Sequence, residues 1–108
     1  MPDDTLTRLA ETIAARRNAA SGSSYTRQLL DGGPEKCARK FGEEAVEAII
    51  AALNEDNQAL KAEAADVLYH LLVLLESRGI ALAEVLEALE ARMSQSGLAE
   101  KASRSPPS

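Results

Sequence analysis

The chain has 108 residues, of which 45% are hydrophobic but only 3% aromatic, and it carries a formal charge of −5 at neutral pH. That length holds one domain with a thin core, and the scarcity of aromatics leaves Leu, Ala, Ile and Val to pack helix on helix rather than sheet on sheet. The negative balance excludes a general nucleic-acid binder, the single Cys37 excludes an internal disulfide, and the most apolar stretch, Val67 to Leu75, falls well short of the ~20 residues a membrane helix needs.

In chain order, Leu6, Leu9, Ala10, Ile13 and Ala14 recur at helical spacing and predict a first helix from Thr5 to about Ala20, with Asp3 or Asp4 as its N-cap. Ser21-Gly22-Ser23-Ser24 breaks the pattern, and Tyr25 to Leu30 forms a short helical turn closed by Gly32-Gly33. Pro34 suits the start of the next helix, whose stripe of Phe41, Ala45, Ala48, Ile49, Ala52 and Leu53 runs to Asn54. A further helix, expected to be largely buried, spans about Gln58 to Arg78, with Gly79 as its C′ residue. Ile80, Leu82, Val85, Leu86, Leu89 and Met93 give the last helix. The expectation is thus an all-α chain of four to five helices, an antiparallel bundle in a single domain over residues 1–104. Residues 105–108 are expected to be a disordered tail. The start of the chain lacks a basic-then-apolar secretory pattern, so the cytoplasm is the expected compartment.

Two acidic pairs stand out against this frame. Glu44 with Glu47, and Glu63 with Asp66, are each three apart and so share one face of their helix. A short turn makes the two helices antiparallel neighbours, and four carboxylates then converge on one point. Crowded like charges are unfavourable unless a cation justifies them. Oxygen-only ligands suit Mg²⁺ or Mn²⁺, which leave positions for phosphate oxygens. The competing reading is that these acids are solvated faces of two amphipathic helices.

Lys36, Arg39 and Lys40 precede the glutamates, against the order the helix dipole favours. They either face the phosphates of a metal-bound substrate or, as with Lys40 and Glu43 or Glu44, pair within the helix. Ser24, Tyr25 and Thr26 offer three hydroxyls that either cap a short helix or touch substrate phosphate or ribose. His70 reads as a satisfied core or interface residue or as a catalytic group, and Cys37 as packing or as a nucleophile. No Glu-x-x-His pair supports a di-iron bundle.

The pattern Glu43, Glu44, Glu47 followed by Glu63 and Asp66 resembles the metal motif of the all-α, MazG-like nucleotide pyrophosphohydrolases. More narrowly, Ser24 to Thr26, Gly33 to Ala45, Ala64 to Leu75 and Ser96 to Lys101 are similar to segments of the phosphoribosyl-ATP pyrophosphatase family, in the family's order, up to about Arg104. The resemblance implies hydrolysis of phosphoribosyl-ATP to phosphoribosyl-AMP and pyrophosphate, the second step of histidine biosynthesis, by an intertwined homodimer using Mg²⁺, with Mn²⁺ as a substitute. It implies metal ligation by Glu44, Glu47, Glu63 and Asp66, an accessory acid in Glu43 that orients water or helps hold a second ion, and phosphate contacts from Lys36, Arg39 and Lys40. Too few Cys and His are present for the zinc cyclohydrolase to which this domain is sometimes fused, so that activity is expected on a separate protein. A house-cleaning triphosphate hydrolase and a non-catalytic helical dimerisation module are the rival readings.

Overall fold

The second, fourth and fifth helices begin and end where the sequence supplies partners for their terminal backbone groups. The computed structural model describes residues 4–18, 24–54 and 56–94. Among them are five α-helices and no strand: α1 (Asp4–Arg16), α2 (Tyr25–Asp31), α3 (Gly33–Asn54), α4 (Asn57–Ser77) and α5 (Leu82–Met93). The predicted cap Asp3 and the segments 19–23 and 95–108 lie outside the described residues, so the proposed tail and the Ser96 to Lys101 segment do as well.

The first helix ends earlier than its apolar spacing suggests. Arg17 and Asn18 form a tight turn, their N–H groups donating to the carbonyls of Ala14 and Ala15. Arg17 then reaches the far end of α4, its Nε 2.9 Å from Glu76 Oε2. Ser24 caps α2, its Oγ accepting the Arg27 N–H at 3.2 Å. Asp56 caps α4 in the same way, accepting the Ala59 N–H at 2.9 Å.

The end of α4 is a Schellman motif. Gly79, at φ +72°, donates to Glu76 O at 3.0 Å, and Ile80 donates to Leu75 O at 2.9 Å. Ile80 is thereby spent on closing α4, which is why α5 starts at Leu82 rather than at the first apolar residue of its stripe. The Ala81 N–H is taken up by Glu84 Oε2 at 3.0 Å.

The most extensive helix contact joins α3 to α4, an antiparallel pair linked through residues 55–56. The core is small: Ile13, Leu29, Leu30, Cys37, Leu72 and Val73 form its buried cluster, with Leu6, Leu9 and Ala10 packed against it. It therefore sits where α1 and α2 cover the first turn of α3 and the second half of α4. Beyond Cys37, the only buried residue of α3 is Ala51, and α5 has none. The expectation that α4 is largely buried is corrected accordingly. Only His70, Leu72 and Val73 are buried on it, whereas Ala64 and Ala65 are exposed and Leu68 is 45% exposed. The described helices are too few to cover an α4 that is apolar on several sides. No described helix is long and apolar enough to cross a membrane.

The Schellman closure gives a clean test, because a Cβ added at Gly79 would meet open space and only the left-handed backbone would object. Gly79→Ala is expected to lower unfolding stability by about 1–2 kcal/mol. Chemical denaturation should read this as a lower midpoint with an unchanged slope, and an unaltered midpoint would refute the argument.

Candidate metal centre

Glu44 is carried by α3, and Glu63 and Asp66 by one edge of α4. The antiparallel pairing brings one carboxylate oxygen from each to within 4.8 Å of the other two. Glu44 and Glu63 are half-buried, with Glu63 Oε1 shielded from solvent, while Asp66 is exposed. At that separation two carboxylates repel by about 1 kcal/mol even at the dielectric of bulk water, and by more beside a protein surface. The arrangement therefore gains from a cation. Its donors are all hard oxygens, with no imidazole or thiolate in the group, which fits Mg²⁺ or Mn²⁺ better than a zinc set.

Glu47, exposed and one turn further along α3, is not part of this group of three. Glu43 also stands outside it, accepting from Lys40 Nζ at 3.2 Å in an exposed i, i+3 ion pair. The intrahelical pairing considered for Lys40 is thus real. The hydrogen bond to Glu43, then that carboxylate's charge, then Tyr25 and more weakly Glu44 hold the Lys40 ammonium above its ordinary range. Lys40 is consequently a cation paired with one of the acids.

Arg39 is exposed. Lys36 is half-buried at the α2–α3 corner, its aliphatic stem lying across Gly32 so closely that an added Cβ there would come within 2.8 Å of Lys36 Cβ. Gly32 has an ordinary φ of −78°, so it is required for space and not for its backbone freedom. Sequence reasoning missed this role, since Gly32 reads as a helix stop and nothing in the spacing reveals what crosses it.

The three hydroxyls are separated by the fold. Ser24 is buried as the α2 cap, and Thr26 is buried with its Oγ1 2.5 Å from the Tyr69 hydroxyl. Tyr25 alone is exposed, at 51%, with its hydroxyl 3.3 Å from His70 Nε2. Its ring stacks on Tyr69 with centroids 6.3 Å apart, and Tyr69 meets the His70 ring edge-on at 4.9 Å. Burial pushes the Tyr69 hydroxyl above its ordinary pKa, with Thr26 partly opposing the shift. Tyr69 had no assigned role in the sequence. Its signal was a polar-tipped pair, Tyr69-His70, interrupting an apolar run one turn after Asp66.

His70 is buried, its Nδ1 2.8 Å from the Asp66 carbonyl oxygen, as the satisfied-core reading expects. Cys37 is 1% exposed, donates to Leu29 O at 3.2 Å, and has its thiol pKa raised by burial. It packs, and its environment is the reverse of an activated nucleophile's.

A second depression, a groove of about 350 Å³ among α1, α4 and α5, shares no residue with the acidic group. Ala10, Ala14, Leu72, Leu75 and Leu86 line it, and its charged residues are Glu11 and Glu76. Apolar walls with only negative charge do not suit a phosphate ester.

Residues 6–93 match the family model for phosphoribosyl-ATP pyrophosphohydrolase. A phosphoribosyl-ATP pyrophosphatase of Dinoroseobacter shibae is 64% identical over 99 residues, covering 92% of this chain and 97% of the relative. One from Cereibacter sphaeroides is 62% identical, covering 92% and 96%. Phosphoribosyl-ATP pyrophosphatase 1 of Bradyrhizobium diazoefficiens is 62% identical over 104 residues, covering 96% and 98%.

The contact between Gly32 and Lys36 predicts that Gly32→Ala destabilises the fold by about 1–3 kcal/mol, the usual cost of overpacking. The loss should shrink when Gly32→Ala is made in a Lys36→Gly background, because the obstructing stem is gone. A double-mutant cycle of thermal unfolding measures the coupling. Equal losses in both backgrounds would place the cost elsewhere.

Proposed function

Since the chain belongs to the phosphoribosyl-ATP pyrophosphohydrolase family, we propose that it cleaves its substrate by metal-assisted attack of water, centred on Glu44, Glu63 and Asp66. The reaction is the hydrolysis of phosphoribosyl-ATP to phosphoribosyl-AMP and pyrophosphate in histidine biosynthesis. The observation that supports this site is the approach of three carboxylate oxygens, from two helices, to within 4.8 Å.

A divalent cation held by these carboxylates, Mg²⁺ by preference, would polarise phosphoryl oxygens and offset their charge. Glu47 lies one turn from Glu44 on α3, in position to supply a fourth carboxylate after a side-chain rotation. Glu43 accepts hydrogen bonds and so can orient the attacking water. Lys40 is paired with Glu43, and with Lys36 and Arg39 on the preceding turns of α3 it balances charge on the phosphates and on departing pyrophosphate. Ser24 and Thr26 hold the start of α2, and thereby Tyr25, against α4. No protein nucleophile enters this scheme, consistent with the buried Cys37. A lone free thiol also suits a reducing cytoplasm.

The working unit in this reading is a homodimer. Val46, Ile49, Ile50 and Leu53 of α3 are 45–77% exposed, and Leu89 and Met93 of α5 are 49% and 70% exposed. Runs of large apolar side chains left in water at this density mark association surfaces. Sedimentation of the wild type is expected to give a dimer mass. Ile49→Glu with Leu53→Glu should shift it toward monomer, whereas a wild-type monomer would remove the dimer from the scheme.

The metal centre is tested by Glu63→Gln, which removes one of three mutually repelling charges at nearly constant volume. Activity on phosphoribosyl-ATP with Mg²⁺ should fall at least 100-fold, as roughly 3 kcal/mol of transition-state stabilisation is lost. In chelator the variant should melt at the wild-type temperature or above it, since the repulsion is relieved. Added Mg²⁺ should raise only the wild-type melting temperature appreciably, because ligand binding stabilises the native state by mass action. Retained activity with no Mg²⁺ effect on either protein would return these acids to the solvated-face reading. Pyrophosphate release from a panel of nucleoside triphosphates, run beside phosphoribosyl-ATP, tests the substrate assignment.

A further inference from the structure

The contact between Tyr25 and His70 is a polar feature of this neighbourhood that the hydrolytic scheme leaves without a task. Its donor and acceptor roles follow from its two ends. The Asp66 carbonyl can only accept, so the nitrogen 2.8 Å from it, His70 Nδ1, carries the proton. In the neutral ring the other nitrogen is then a bare acceptor. That nitrogen, Nε2, is the one 3.3 Å from the Tyr25 hydroxyl.

The Tyr25 proton is therefore directed inward, to His70. Its ring is held by stacking on Tyr69, and the 6% exposure of His70 and the edge contact with Tyr69 oppose a ring flip that would turn ring carbons toward both partners. What Tyr25 offers outward is its oxygen lone pairs. A phosphoryl oxygen is also an acceptor, so the two would repel unless the hydroxyl broke its bond to a buried histidine. This argues against the direct phosphate contact that the Ser24-Tyr25-Thr26 segment suggests.

We infer that His70 is a positioning residue that fixes the Tyr25 hydroxyl as a hydrogen-bond acceptor, and that Tyr25 receives a hydroxyl proton from a ribose of the substrate. The second half rests on the phosphoribosyl-ATP reading. The location supports a sugar contact. Tyr25 is joined through His70 to the backbone of Asp66, so it is tied to the turn of α4 that carries part of the acidic group. The part of the substrate covalently attached to the phosphates, and rich in donors, is the ribose. Tyr25 thus discriminates a sugar hydroxyl from one more phosphate oxygen.

The chain contains one histidine, so a nitrogen-15 spectrum of the imidazole needs no assignment. At a pH above the ordinary histidine range, the free protein is expected to show Nδ1 protonated and Nε2 bare, with the Nε2 resonance moved by Tyr25→Phe. In kinetics, Tyr25→Phe should raise KM for phosphoribosyl-ATP about tenfold, as loss of one net hydrogen bond does. Its kcat should stay within about twofold. Inhibition by the product pyrophosphate, which has no hydroxyl to donate, should change less than about twofold. His70→Asn keeps a donor near the Asp66 carbonyl but loses the outer acceptor, and should copy Tyr25→Phe. His70→Gln, whose amide oxygen reaches the place of Nε2, should restore most of the KM. An Nε2-protonated ring, equal weakening of pyrophosphate and substrate in Tyr25→Phe, or equal damage from the Asn and Gln variants would each overturn the inference. A wild type inactive on phosphoribosyl-ATP would defeat the reaction assignment instead, while the spectrum would still decide the His70–Tyr25 geometry.

Discussion

The antiparallel packing of α3 on α4 is the constraint on which the rest of the molecule depends, because it forces Glu44 against Glu63 and Asp66. Carboxylates on flexible segments would move apart. Here they ride on two helices of 22 and 21 residues, the second of them anchored at both ends. Asp56 fixes the start of α4, the Gly79 closure fixes its end, and Arg17 clamps that end to α1 through Glu76. The repulsion is thus retained by structure rather than relaxed by it, and a cation that binds the three oxygens meets an electrostatic site already assembled. The same rigidity makes the site sensitive to anything that slides one helix along the other by a turn.

The clamping is distributed unevenly. Ile13, Leu29, Leu30, Cys37, Leu72 and Val73 gather around the first turn of α3 and the later part of α4, leaving much of the second half of α3 and all of α5 without buried side chains apart from Ala51. A helix that keeps Ile49 and Leu53 58% and 77% exposed gains little from its own chain. The acidic group lies on the less covered stretch, so its stiffness in a single chain comes chiefly from helix pairing. A second copy packed on α3 would add the missing burial to the elements that carry Glu44 and Glu47.

Much of this was legible in the sequence because it depends on spacing. Helix limits marked by Ser24, Gly79 and Asn54 fall within a residue or two of where cap and stop residues put them. The convergence of Glu44 with Glu63 and Asp66 follows from two i, i+3 pairs and a short connection. What spacing cannot express is rotation of a helix about its axis and the path of one side chain over another. Hence Glu47, equal to Glu44 in pattern, is not in the group of three, and the crossing of Gly32 by Lys36 left no mark. Ala64 and Ala65 are exposed on a helix whose apolar composition predicts burial, because an apolar surround in sequence does not reveal whether the same chain supplies the cover.

Lys40 shows how a structural and a functional reading can both hold. Its bond to Glu43 is exposed and spans i, i+3. Such a solvent-screened pair contributes little, so exchanging Glu43 for a phosphate oxygen costs little. A charge-assisted bond to phosphate is roughly twice as strong as a neutral one, and it favours the exchange. In the exchange proposed here, the carboxylate of Glu43 would be released as the anionic substrate arrives, beside an acidic group that a bound cation would partly neutralise. On that proposal the resting ion pair on α3 holds Lys40 close to the acidic group and would free an acceptor for water when a phosphate takes its place.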